Sequence, residues 1–290
     1  CIAKECYKLN KLDVSQITNM EDLFANSLFN GSINAWDVSN VTDMNSMFYS
    51  TEKFNQDLNS WNTSNVTDMS CMFSNAKKFN GDIGKWDVSN VTNMEGMFYS
   101  AEKFNQPLNF DTSNVISMIS MFGYAESFNQ ELNFNTSKVT SMKEMFYNAK
   151  SFNQKLNFNT NNVTNMKLMF CNAEKFNQPL NFDTSNVTSM ISMFSYAKSF
   201  NQPLNFDTSK VKDMDYMFYN KIEFNQNISN WNVSNVTSMS YMFYDVESFN
   251  QNISSWNFDN IISCDYMFYN AKAFKDRSEE RRVGKECHSE

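Results

Sequence analysis

Apolar residues fall at fixed intervals along this chain. A Met-Phe pair marks the register at Met47-Phe48, Met72-Phe73, Met97-Phe98, Met121-Phe122, Met145-Phe146, Met169-Phe170, Met193-Phe194, Met217-Phe218, Met242-Phe243 and Met267-Phe268, in steps of 25, 25, 24, 24, 24, 24, 24, 25 and 25 residues. Leu23-Phe24 is a degenerate earlier copy, which brings the units to eleven. A constant period in the twenties predicts a repeat solenoid, because one such unit cannot bury its apolar face alone whereas a stack of them builds a continuous core.

Each unit carries two apolar patterns. In the 24-residue step it reads Leu-Asn-Phe, as at Leu108 to Phe110 and Leu132 to Phe134. That alternation puts both side chains on one face and predicts a short strand. In the 25-residue step it reads apolar-x-x-Trp, as at Leu58 to Trp61 and Ile83 to Trp86. One residue is added there, and a bulge or wider turn, filled by the larger indole, would restore the inward aim. The second pattern is Met94, Met97, Phe98, Ala101 and Phe104, at helical spacing, which predicts a short helix or 3₁₀ turn opposite the strand. The expected interior of one coil is Leu108, Phe110, Val115, Met118, Met121, Phe122 and Phe128. The Asn of each Phe-Asn-Gln step, such as Asn105, Asn129 and Asn153, is expected to point inward as a buried ladder that bonds backbone of neighbouring coils.

The repeat sets the domain organisation. Residues 1–12 match the unit poorly and read as a degenerate repeat or cap remnant, 13–276 as one solenoid of about eleven repeats, and 277–290 as a non-native tail. The tail holds every Arg and the one His, and Arg277 to Cys287 resembles the translation of a sequencing adapter. The chain is therefore expected to be a fragment, and its uncapped ends to fray and self-associate end to end.

Composition narrows the function. Lys plus Arg is 24 against 32 Asp plus Glu, a net charge of −8, which argues against nucleic acid as a partner. No apolar run is long enough for a membrane-spanning helix. Without the tail there is no His and no Arg, which removes Ser-His-Asp and Cys-His nucleophilic systems, His metal sites and Arg phosphate clamps. No glycine-rich phosphate loop is present. The chain thus reads as no enzyme, with no cofactor and no metal. Cys71, Cys171 and Cys264 sit in distant coils and do not read as a disulfide framework, while Cys1 and Cys6 could pair or stay free. Asp37, Asp87, Asp111, Asp183 and Asp207 alternate with Asn at one strand-end position, which is turn chemistry first and a calcium ladder second. The Thr row (Thr42, Thr67, Thr92 and onward) reads as stacking along the sheet before ice binding.

The residues that vary between copies are the candidates for contact. Within Met-x-x-Met they include Asp215-Tyr216, Ser240-Tyr241 and Asp265-Tyr266, expected to point outward. Tyr216, Tyr241 and Tyr266 would then stack as an aromatic strip flanked by Asp215 and Asp265, which serves either packing between coils or binding.

Val-Thr-x-Met, Met-Phe, Ala-x-x-Phe-Asn-Gln and Trp-Asp-Val-Ser-Asn-Val, as they stand from Trp86 to Gln106, resemble the BspA-like leucine-rich repeat surface proteins, in particular the variant repeat of mycoplasma lipoproteins. The resemblance covers about Val14 to Phe274. It implies a right-handed leucine-rich-repeat-like solenoid with a parallel β-sheet. It also implies a cell-surface or extracellular protein that mediates adhesion or binds a protein or glycan, and it brings no catalytic residues. The alternative is a structural spacer that displays a further domain.

Overall fold

The computed structural model describes residues 9–221 and 223–274, so the segment resembling an adapter, Cys1 and Cys6 lie outside the described residues. The described chain is a solenoid of eleven coils. A parallel bridge joins each coil to the next, from Asn19↔Asp43 and Asp43↔Asp68 through to Ser238↔Ser263. This ladder passes through the residue after Val-Thr, whereas the alternation pointed to Leu-x-Phe. At the latter position one bridge forms among the described residues, Leu132↔Leu156. The alternation does turn both side chains inward, but mostly without the backbone pairing that defines a strand.

The predicted helix is absent: the Met-x-x-Met-Phe stretch is a run of turns in every coil. In the coil of Met44, the Met47, Tyr49 and Thr51 N–H groups close on the carbonyls of Met44, Ser46 and Phe48 at 3.2, 2.9 and 3.0 Å. Between them, the N–H groups of Met44, Ser46, Phe48 and Ser50 donate forward to Asp68, Ser70, Met72 and Ser74 of the next coil at 3.0, 2.9, 2.9 and 2.7 Å. Alternate amides therefore serve the coil and the stack. Ser46 and Ser50 are left-handed, with φ of 53° and 52°, at the third position of the turns Met44–Met47 and Phe48–Thr51. Every coil repeats this pair of left-handed residues. A four-residue turn spaces its buried positions three or four apart, as a helix does, which is why the two were confused.

The core is built of stacked rings. The Met-Phe phenylalanines form one column from Phe24 to Phe268, with neighbouring centroids 5.4 to 6.0 Å apart. A second column runs from Phe29 to Phe200, and within a coil the two rings lie close together, Phe98 and Phe104 at 4.0 Å. The interior expected for one coil is all buried. The extra residue of the longer coils makes a wider, four-residue turn rather than a bulge: Trp61 N–H closes on Leu58 O at 3.1 Å, and its indole Nε1 donates to Ile33 O of the previous coil at 3.1 Å. Thr112, Thr136 and Thr160 are buried hydroxyls, each satisfied by a carbonyl of the next coil at 2.8 to 3.0 Å.

Candidate functional site

The candidate site grows out of the left-handed turn. A side chain at φ near +55° projects away from the core, so the sequence is free to vary there. Tyr216, Tyr241 and Tyr266 occupy this position, with φ of 58°, 60° and 53°. Their rings stack, Tyr216 on Tyr241 at 4.8 Å and 3°, and Tyr241 on Tyr266 at 5.2 Å and 23°. Tyr216 and Tyr266 are exposed and Tyr241 is half-buried between them. The aromatic strip read from the sequence is thus assembled.

It is only half of the feature. The Tyr that follows Met-Phe forms a second column, Tyr219 to Tyr244 at 4.9 Å and Tyr244 to Tyr269 at 4.7 Å. The two columns touch, with Tyr216 and Tyr219 5.5 Å apart and Tyr241 and Tyr244 5.7 Å apart. The recurring Met-Phe-Tyr was the missed signal. Tyr196 extends the patch edge-on to Tyr219 at 5.4 Å. Burial, with the Tyr196 hydroxyl beside it, pushes Tyr219 up to about 12, and burial raises Tyr216 as well. These phenols stay neutral hydrogen-bond donors and acceptors near neutral pH.

Asp215 and Asp265 directly precede Tyr216 and Tyr266 in the chain and have unequal roles. Asp215 is half-buried and accepts from Ser238 Oγ at 2.5 Å and from Ser240 N–H at 2.7 Å. Burial raises its pKa, while the Ser238 hydroxyl opposes that shift. Ser240 Oγ and Ser263 Oγ lie 2.6 Å apart, and Asp265 N–H donates to Ser240 Oγ at 3.2 Å. Asp265 itself is exposed. Ser240 therefore bridges the two positions: its N–H bonds the Asp215 carboxylate, and its hydroxyl meets Ser263 Oγ and the Asp265 N–H.

The other rows resolve as structure. Asp37, Asp87, Asp111, Asp183 and Asp207 each accept the N–H two residues on, at 2.9 to 3.1 Å, and the interleaved Asn residues do the same. Serine hydroxyls hold Asp87, Asp183 and Asp207 below the usual carboxylate range. Among the described residues no group of three or more His, Cys, Asp or Glu could hold a metal ion. The Asn ladder is present but not buried: Asn105, Asn129 and Asn153 are half-exposed, each accepting the next coil's Asn N–H at 2.9 to 3.0 Å. It lines the surface because the preceding Phe already fills the core. Cys71 and Cys171 are free, as expected, and burial pushes the Cys171 thiol up to about 12. Cys264, by contrast, is disulfide-bonded.

Lys221 departs from the repeat. It stands where other coils place Ala149, Ala173 or Ala197, and it is buried with Nζ donating to Lys198 O at 2.9 Å. Burial pushes its pKa down to about 8.

The family profile described as "Mycoplasma protein of unknown function, DUF285" matches residues 2–109, 80–181, 156–205 and 204–284. The chain belongs to this family. Membership bears out the BspA-like, mycoplasma-type repeat identified from Val-Thr-x-Met and Met-Phe. Among solved structures, DUF285 repeats as arranged here are similar to a leucine rich cell surface protein from Faecalibacterium prausnitzii, with TM-score 0.43, 13% identity, and coverage of 84% of this chain and 79% of that one. A leucine-rich repeat protein from Eubacterium ventriosum gives TM-score 0.45 and 13% identity over 91% of this chain and 77% of that one. No curated protein matches the sequence. Among the described residues no helix is long and apolar enough to cross a membrane.

Proposed function

We propose that the chain is a non-enzymatic interaction module, displayed at a cell surface or secreted, that holds a protein or glycan partner against its tyrosine face. The carrying observation is the pair of touching tyrosine columns, Tyr216–Tyr241–Tyr266 and Tyr219–Tyr244–Tyr269. Tyrosine supplies a large contact area with a polar tip at little entropic cost, and such residues dominate binding surfaces. Asp215 and Asp265 place acidic groups next to Tyr216 and Tyr266 of the same patch. The alternative is a spacer, favoured by the unbroken run of equivalent coil junctions from Asn19 to Ser263.

The test is surface-immobilised full chain screened against extracellular matrix proteins and glycans, followed by Tyr216→Ser/Tyr241→Ser/Tyr244→Ser. The expected result is a binder whose affinity falls on the order of tenfold or more in the variant. An affinity unmoved by the three changes overturns the tyrosine face, and a panel without any binder favours the spacer.

A further inference from the structure

The central coils carry a second surface feature. Between Leu132 and Phe134 a single residue, Asn133, makes the link. In a longer coil, Asn59 and Ser60 make it instead, and the turn consumes its own polar groups. Asn59 donates to Asp82 at 2.8 Å and accepts Lys85 N–H at 2.8 Å, and Ser60 Oγ donates to Asn34 O at 2.6 Å. Where that turn is missing, a groove opens along the stack. It consists of two adjoining hollows of about 390 and 380 Å³ that share Glu131, Asn133 and Gln154.

The groove walls are amides. On one side Gln130, Gln154 and Gln178 are pinned by Nε2 to the carbonyls of Asn105, Asn129 and Asn153 at 3.1, 3.1 and 3.2 Å. Pinning the nitrogen presents each Oε1 as an acceptor. On the other side Asn133 and Asn157 are exposed, and neither side chain has a hydrogen-bond partner among the described residues. Each coil thus offers an open donor and acceptor on one wall and an acceptor on the other. The charges present, Glu131 and Lys155, are one of each sign.

This chemistry selects its ligand. An apolar molecule would strand the amides without partners, and one charge of each sign gives a polyanion or polycation no net attraction. A neutral polyhydroxylated chain, by contrast, meets donors and acceptors with its own. Adjacent coils lie about 4.8 Å apart along their backbone bridges and 5.4 to 6.0 Å apart at their stacked rings, spacings that bracket the advance of one sugar in an extended β-linked glycan. A peptide strand advances about 3.3 Å per residue and falls out of step with the coils. We propose that the groove over the central coils binds an extended neutral glycan, one sugar per coil. The site is separate from the tyrosine face and does not depend on it.

The experiment is calorimetry of the full chain with neutral β-1,4-linked oligosaccharides, cellotriose to cellohexaose and xylohexaose. An extended Ser/Gly octapeptide and hexagalacturonate serve as comparison probes. The expected result is affinity that rises with sugar length, falls roughly tenfold in Asn133→Ala/Asn157→Ala, and is unchanged in Tyr216→Ser/Tyr241→Ser. A second variant inserts Ser after Asn133 with Phe134→Trp, which rebuilds the covering turn and should abolish binding while the far-ultraviolet spectrum is kept. Absence of binding to either hexasaccharide at millimolar concentration overturns the proposal. So does affinity indifferent to both variants, or binding of the peptide alone.

Discussion

The shorter central coils, with Leu-Asn-Phe at Leu108 to Phe206, and the longer flanking coils, with Trp at the same place, share one core and differ in one surface turn. In both regions the inner Leu or Ile is buried, from 0% exposed at Leu58 and Ile83 to 2% at Ile253 in the flanking coils, and from 1% at Leu204 to 5% at Leu156 and Leu180 in the central ones. In the coil of Leu58 the turn satisfies its own polar groups. The central coils save a residue and leave amides open to solvent. One residue therefore decides whether a stretch of surface closes on itself or remains free for a ligand, with the backbone ladder unchanged on either side.

That contrast can be broken at three levels. The largest effect is expected in the shared core. Phe73→Ala in a flanking coil and Phe170→Ala in a central one should each cost about 3–5 kcal/mol in urea unfolding. The two values should agree, since both rings sit fully buried in the same column. A gap of more than about 1 kcal/mol, beyond the additivity error for distant sites, would mean that the regions pack differently.

An intermediate effect is expected where the two designs diverge. Deleting Ser60 while keeping Trp61 forces an indole into the space of a phenyl ring, a strain of about 1–3 kcal/mol. Deleting Ser60 together with Trp61→Phe should recover most of it, because the coil then matches the central type. Thermal melts of both variants check this, and equal destabilisation would show that indole size is not what the extra residue accommodates.

The smallest effect lies at the junction of the regions. Lys221→Ala should raise stability by about 1 kcal/mol, by removing from an alanine site a buried polar group that keeps one hydrogen bond. The sign with pH follows from its depressed pKa. Between the folded value of about 8 and the ordinary 10.5, the unfolded chain binds more protons. Stability of the parent therefore rises with pH across that window and is flat below it. Lys221→Ala should lose this slope in denaturant midpoints measured from pH 7 to 10.5, and a slope that persists would assign it to other groups.

The period, the number of coils and the inward residues were legible because burial leaves its mark on residue type. Met-Phe recurs where the core needs volume, and Asp or Asn recurs where a turn needs an acceptor. Backbone pairing was less legible. The ladder residue is Asp, Asn or Ser, types depleted in strands, and it pairs because the stack places it there rather than through its own propensity. The left-handed turns were hidden because Gly96 is the only glycine among them. Leu168, Glu144 and Tyr241 hold the same conformation, at a cost of about 1–2 kcal/mol each that the forward hydrogen bonds offset. Asn26, Asn75, Asn148 and Asn172 at the second such position were the available clue, since Asn tolerates that region. The tyrosine strip was read from its variable positions, but its second column was not, because those tyrosines belong to the regular motif. The groove was illegible for a different reason: it consists of a residue that is missing.

The Asn ladder has a consequence for how such a gene changes. Asn55 accepts from Asn80 just as Asn80 does from Asn105, and the left-handed turns and Phe stacks repeat with it. Each junction is chemically interchangeable with the next. Loss or gain of one whole unit of 24 or 25 codons by recombination between copies rejoins every ladder, whereas a partial unit severs all of them at once. Selection can therefore adjust the reach of the molecule in whole coils, and lengthen or shorten its open-amide stretch, without passing through a misfolded intermediate.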